Sequence, residues 1–319
     1  MDFGSINPVA LFAGLVIAAT PLLYAAIGEL VVEKSGVLNL GVEGMMIMGA
    51  VAGFAVAVNT GSPAVGFAGA AVAGAVFAMI FGLLTQYLLS NQVATGLALT
   101  LFGLGFAALI GQPYSGVRPP GFPRLDIPVL GDLPVLGRAL FSFDAMVYLG
   151  IVLVAAVWLF LNRTRAGLIL RAVGENHDAA HSLGYPVIGI RLAAIAFGGA
   201  CAGIGGAYLS LVRVPQWTEG MTAGAGWIAL AIVVFSTWKP WRVLIGAWLF
   251  GGVTILQLNL QASGFLSWLQ SIGIPAQSQY LSMAPYLITI LVLVLISADR
   301  TRVSLNAPAS LGRVFARSG

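Results

Sequence analysis

Apolar residues run along this chain in long blocks rather than in the alternating or thin-striped patterns of a soluble fold. Nine blocks stand out, at roughly 9 to 31, 41 to 58, 64 to 89, 93 to 111, 144 to 161, 187 to 212, 222 to 238, 241 to 262 and 284 to 298. Most approach or exceed the roughly 20 residues that carry an α-helix across a bilayer, and the dyad alternation of a transmembrane barrel is absent. The pattern predicts an all-α integral membrane protein, a polytopic bundle of about nine transmembrane helices. Glycines interrupt several blocks, so broken or re-entrant segments would make the count eight to ten. The expected organisation is one membrane domain over 1–298, with a polar loop at 162–186, and a tail over 299–319.

Composition supports the class. The chain is 59% hydrophobic and only 8% charged, more apolar surface than a soluble domain can bury. The single cysteine, Cys201, lies inside an apolar block and reads as a small packing residue without a disulfide partner. The N-terminal stretch lacks a basic region ahead of its first block, so that block is expected to be a retained helix rather than a cleaved signal.

Basic residues then orient the bundle. With the 162–186 loop in the cytoplasm, alternation places Lys34, Arg163, Arg165, Arg171, Arg191, Lys239, Arg242, Arg300, Arg302, Arg313 and Arg317 inside. Only Arg118, Arg124, Arg138 and Arg213 fall outside, eleven against four. The tail is then cytoplasmic and the N-terminus external. The net charge of +4 follows from this topology, and no basic and aromatic stripe for nucleic acid is present.

Two G-x-x-x-G runs, Gly49–Gly53 and Gly199–Gly203, mark helix faces that approach closely, because small residues let backbones meet in lipid. The run "WKPWR" at 238–242 reads as a tight turn with interfacial anchors.

Polar residues within the blocks carry the chemistry. Glu29, Asn39 and Glu43 fall in or beside predicted spans, where a central charge costs about 2.5 to 3.5 kcal/mol. Gly36, Asn39 and Glu43 share a helical face, while glycines at 36, 41 and 44 permit a break. Two readings stay open: a polar stripe lining a translocation pathway or gate, or a buried carboxylate that caps backbone at a helix break. Asn91, Gln92 and Thr95 in "SNQVATG" form a short turn, either lining the inner mouth or simply solvated. The stretch 213–227 is a Gly-rich external or re-entrant connection.

The loop 162–186 holds both histidines in "RAVGENHDAAHSLG". His177 and His181 share one helical face, as in the zinc-protease signature H-E-x-x-H, but Asp178 stands where that signature has the longer glutamate. Local grammar suggests a different use. Asn176 is a good N-cap, Asp178 complements the helix dipole, Gly184 caps the C-terminus and Pro186 stops the chain. A short helix over about 176–183 results, showing Ala179, Ala180 and Leu183 to a partner's groove, with the histidines facing solvent or partner.

Together, "GELVVEKSGVLNLGVEGMMIMGA", "NQVATGLAL", "RAVGENHDAAHSLG" and "MTAGAGWIALAIVVFSTWKP" resemble the permease subunits of bacterial ABC importers in the branched-chain amino acid, ribose and nucleoside group. Within it they look most like the nucleoside and simple-sugar permeases, and the resemblance spans nearly the whole chain. It implies a permease domain over 1–298 in a bacterial inner membrane, a second permease subunit, a separate ATP-binding subunit carrying ATP and Mg, and an external substrate-binding lipoprotein. It also implies that the loop helix is the coupling helix seated on the ATPase, through Arg171, Gly174, Glu175, Asn176, Ala179, Ala180 and Gly184. Two departures from the family pattern are His177–Asp178, bearing on the ATPase interface, and Gly224–Ala225–Gly226, bearing on the external helix and solute.

No Walker A pattern occurs, so energy would come from the partner and the chain itself is expected to be neither an enzyme nor a cofactor carrier. Asn39, Glu43, Asn91, Gln92 and Thr95 are the candidates for the pathway or gate. The competing reading is an ion-coupled secondary transporter with Glu43 as its ion site. A metalloprotease built on His177, Asp178 and His181 is the third.

Overall fold

The computed structural model describes residues 8–123, 125, 141, 143–263, 270, 277–284, 287–288, 290–291, 294 and 306–316. Seven helices among them are long and apolar enough to cross a membrane. They are α1 (Pro8–Lys34), α2 (Val42–Thr60), α3 (Pro63–Gln86), α4 (Gln92–Gly111), α5 (Ala145–Arg163), α8 (Val187–Tyr208, extended by a π turn to Arg213) and α10 (Pro240–Ala262). Between α5 and α8 lie two short helices, α6 (Arg165–Glu175) and α7 (His177–Ser182), and between α8 and α10 lies α9 (Ala225–Phe235). The predicted block 284–298 lies largely outside the described residues, as do Arg124, Arg138, Arg300, Arg302 and Arg317.

Local chemistry sets the helix ends. Ser62 accepts the Val65 amide and is followed by Pro63 at the first helical position. Asn91 caps α4 through the Ala94 amide, Asp144 caps α5 through Met146 and Val147, and Thr164 caps α6 through Gly167.

α1, α2, α3 and α8 form the centre of the bundle, and the two G-x-x-x-G runs meet there. Gly49 of α2 faces Gly203 of α8, and a methyl group at Gly206 would overlap the Met46 carbonyl. In lipid, where association rests on packing rather than on the hydrophobic effect, such backbone contact is the main source of helix affinity.

The same contacts fix depth. Gly49 rests on Gly203, sixteen residues beyond Val187, which at 1.5 Å per residue is roughly 24 Å along α8. The start of α2 at Val42, seven residues earlier, is then roughly 14 Å from the end of the bundle at which α8 begins, near the middle of the spanning length. α1 ends at that same end, because the Ser35 carbonyl accepts Arg191 Nε in the first turns of α8, at 3.2 Å. Residues 35–41 therefore climb from the basic end into the bundle as non-helical backbone, and Ser35, Gly36, Val37 and Asn39 are buried.

A second interruption faces the first. α9 has eleven residues, roughly 17 Å, about half of a 30 Å hydrocarbon core. It starts against Glu43 and ends beside Trp238, whose indole meets Glu33 near the end of α1. The predicted span at 222–238 is thus a half-crossing, entered by residues 214–224 folding back from the far end of α8.

Candidate functional site

Backbone at membrane depth needs partners from the protein, and the polar residues of the predicted stripe supply them. The Leu38 amide donates to Gln92 Oε1 at 2.8 Å, the Asn39 amide to Glu29 Oε1 at 3.3 Å, and the Gly41 amide to Asn39 Oδ1 at 2.9 Å. Thr100 Oγ1 donates to the Leu40 carbonyl at 3.2 Å. Asn39 Nδ2 completes the turn on Met45 Sδ.

Glu43 is 2% exposed and joins the two interruptions. Its carboxylate accepts the Thr222 hydroxyl at 2.5 Å, the Gly224 amide at 2.9 Å and the Gly226 amide at 2.7 Å. It belongs to the first turn of α2 while capping the first turn of α9, so one carboxylate complements two helix N-termini. Gly224 holds φ +85°, and a Cβ on Gly226 would strike the Glu43 backbone. The junction therefore requires glycine at both positions. The hydrogen bonds that Glu43 makes are those of a buried carboxylate capping backbone at a helix start.

The structure thus gathers Asn39, Glu43 and Gln92 around the interruptions. Asn91 and Thr95 sit instead at the start of α4, Asn91 exposed as the cap and Thr95 sharing a 2.9 Å hydrogen bond with Ser90. A cavity of about 670 Å³ lies beside the second interruption, walled by α1, α10 and the 214–225 segment; its polar lining includes Arg213, Thr218, Thr222, Thr254 and Gln257.

At the basic end, α7 forms where the caps place it. Asn176 Oδ1 accepts the Ala179 amide at 3.0 Å, and Gly184 takes φ +87° after the last turn. Glu175, Asn176, Ala179, Leu183 and Gly184 are exposed, and Arg171 is half-buried. Gly174 and Ala180 point the other way: Gly174 backs onto the Lys34 carbonyl, and Ala180 packs with Val173, Val187, Ile188 and Phe315. An apolar face on a six-residue helix is buried by the chain's own neighbours before any partner arrives.

The histidines are corrected by the same packing. His181 is exposed, but His177 is 7% exposed, with its Nδ1 3.1 Å from Arg191 Nη2. A guanidinium has only donors, so Nδ1 is the acceptor and the neutral ring carries its proton on Nε2. Burial, then the Arg191 charge, hold His177 below the usual histidine range. Among the described residues, no three of His, Cys, Asp and Glu are grouped to hold a metal ion.

Arg191 is the residue that sequence reading undervalued. Counted only as a topological charge, it is fully buried and ties four segments together, through Ser35, Gln86, His177 and the Arg313 carbonyl. Its signal was present: an arginine in the first turns of an apolar block needs acceptors. The tail adds further ties, from the Ser310 amide to the Gly174 carbonyl at 2.9 Å and the Gly312 amide to the Gly36 carbonyl at 3.1 Å. Phe315 lies edge-on to both histidine rings.

Interrupted helices meeting at depth, with a capped helix on the basic end, define a polytopic membrane transport protein. The chain belongs to the family described as branched-chain amino acid transport system / permease component, whose profile matches residues 11–296. It is the permease subunit of an ABC transporter. It is 41% identical to a putative glucose ABC transporter permease protein of Haloferax volcanii, over 94% of this chain and 95% of that protein. It is 33% identical to a guanosine ABC transporter permease protein of Bacillus subtilis, over 92% and 93% of the two chains. It is 30% identical to a nucleoside ABC transporter permease protein of Lactococcus lactis subsp. cremoris, over 89% and 90%. No solved structure matches it.

Proposed function

We propose that this chain forms half of the pathway of an ATP-driven importer for a nucleoside or a simple sugar. The observation that carries the solute class is near end-to-end similarity to permeases named for glucose, guanosine and nucleosides. The 670 Å³ cavity beside the second interruption supports it, being large enough for such a solute and bordered by hydroxyl and amide groups. Asn39, Glu43 and Gln92 act on that pathway by holding the two half-helices in register, while Asn91 and Thr95 border its inner mouth.

A second permease subunit completes the pathway, an external substrate-binding lipoprotein delivers solute, and an ATP-binding subunit holds ATP and Mg. The 162–186 loop lies on the cytoplasmic side of the inner membrane with the tail, and the N-terminus lies outside. Glu175, Asn176, Ala179 and Gly184 form the contact face toward the ATPase, with Arg171 at its edge. Gly174 and Ala180 transmit its motion, because they pack that face against α1 and α8.

The test is uptake of labelled guanosine and glucose in cells expressing the whole system. One of them is expected to be taken up, with loss of uptake in an ATPase-dead variant and none on adding an uncoupler. Uptake that survives the dead ATPase and collapses with the uncoupler would overturn the proposal in favour of ion coupling.

A further inference from the structure

Where α1, α5 and α10 reach the basic end lies a second cavity of about 450 Å³, which shares no described lining residue with the first. Among the described residues, four cations line it: Lys34, Arg171, Lys239 and Arg242. Two carboxylates stand near Lys34, but neither lines the cavity: Glu33 accepts the Trp238 indole N–H, and Glu175 accepts the Ala309 amide. Lys34 is tethered to the Asn306 carbonyl at 2.8 Å and Arg242 to Thr237 Oγ1 at 2.7 Å, so these cations are held in place around the opening. Arg171 Nε is buried without a hydrogen-bond partner. Like charges crowded this way repel, and an anion between them removes that cost.

The surroundings specify which anion. Trp158, Trp238 and Trp241 also line the cavity, and tryptophan collects at the headgroup level of a bilayer. From its mouth, Trp241, Ile245 and Leu249 run up α10 at four-residue spacing, all exposed, giving one apolar track into the membrane. We infer that this cavity binds the phosphate headgroup of an anionic phospholipid, with an acyl chain lying along Trp241, Ile245 and Leu249. The inference stands on this geometry alone and is independent of the transported solute.

The experiment is native mass spectrometry of the full chain extracted from nanodiscs containing equal phosphatidylglycerol and phosphatidylcholine. Wild type is expected to retain phosphatidylglycerol selectively, and Lys239→Gln with Arg242→Gln to weaken retention roughly 30-fold, about 2 kcal/mol, since each cation near an anionic surface contributes about 1. Arg118→Gln, which removes an exposed charge outside this cavity, is expected to leave retention unchanged. Equal retention of the two lipids, equal loss in the Arg118 variant, or displacement of the lipid by millimolar inorganic phosphate each overturns the inference. A double variant that keeps its thermal midpoint in detergent while losing the lipid supports it and excludes misfolding as the cause.

Discussion

The Glu43 carboxylate accepts the Gly226 amide at 2.7 Å, locking the first turn of one interrupted helix to the first turn of another. Glu43→Leu leaves the Thr222 hydroxyl and the Gly224 and Gly226 amides as buried donors without acceptors, at about 1 to 3 kcal/mol for each. Destabilisation of at least about 3 kcal/mol is expected, with loss of uptake. Glu43→Gln retains one acceptor oxygen and falls between the two. Thermal unfolding in detergent reads the effect, and a wild-type midpoint for Glu43→Leu would remove the capping role.

Backbone contact between α2 and α8 predicts a sharp contrast between two glycines. Gly206→Ala places a methyl group on the Met46 carbonyl, so helix separation and poor yield of folded protein are expected. Gly105 of α4 has open space around its Cβ position, and Gly105→Ala is expected to be neutral or to stabilise by up to about 1 kcal/mol. Similar behaviour of the two variants in size-exclusion profiles and unfolding midpoints contradicts the contact.

His177 makes the basic end sensitive to acid. Its folded-state pKa lies below its ordinary value of 6.5, so between the two the unfolded state binds more protons. The contribution of this site is complete above pH 6.5 and is lost as pH falls from there through the lowered value. The groups facing His177 are Arg191, Asp178 and Arg313; Asp178 alone opposes the shift. Hydrogen exchange at α7 and the tail should rise over that interval. His177→Gln, which cannot take up a proton, should flatten the response; an unchanged profile in that variant removes His177 as its source.

The two alanines of α7 should separate docking from folding. Ala179 is exposed and Ala180 is buried against Val173 and Phe315. Ala179→Trp is expected to leave insertion and stability intact while reducing co-purification of the ATPase at least tenfold, a change of about 1.4 kcal/mol. Ala180→Trp overpacks the loop and is expected to cost about 1 to 3 kcal/mol in stability. If Ala179→Trp binds the ATPase normally, the exposed side of α7 is not the contact face.

Much of this was legible in the linear pattern. Block length and apolarity are properties of single segments, so the helices that cross appear in the sequence with boundaries near those of the structure. The cap of α7 was also readable, because Asn176 acts on an amide three residues away, whereas Asn91, which caps α4 in the same way, read only as a turn residue. The half-crossing of α9 was less so: a largely apolar block of this length, 222–238, looks the same whether it crosses or turns back.

Tertiary structure decided whatever depends on partners distant in the chain. Glu43 meets Thr222, Gly224 and Gly226 about 180 positions away, and no local pattern distinguishes a carboxylate that caps such a helix from one that faces a pathway. Arg191 counts as one more basic residue until Ser35, Gln86, His177 and Arg313 close around it. The physical reason is common to both. Hydrophobic length acts along the chain and sets which segments enter the bilayer, whereas burying a charge at depth requires several specific donors or acceptors, which only the packed bundle brings together.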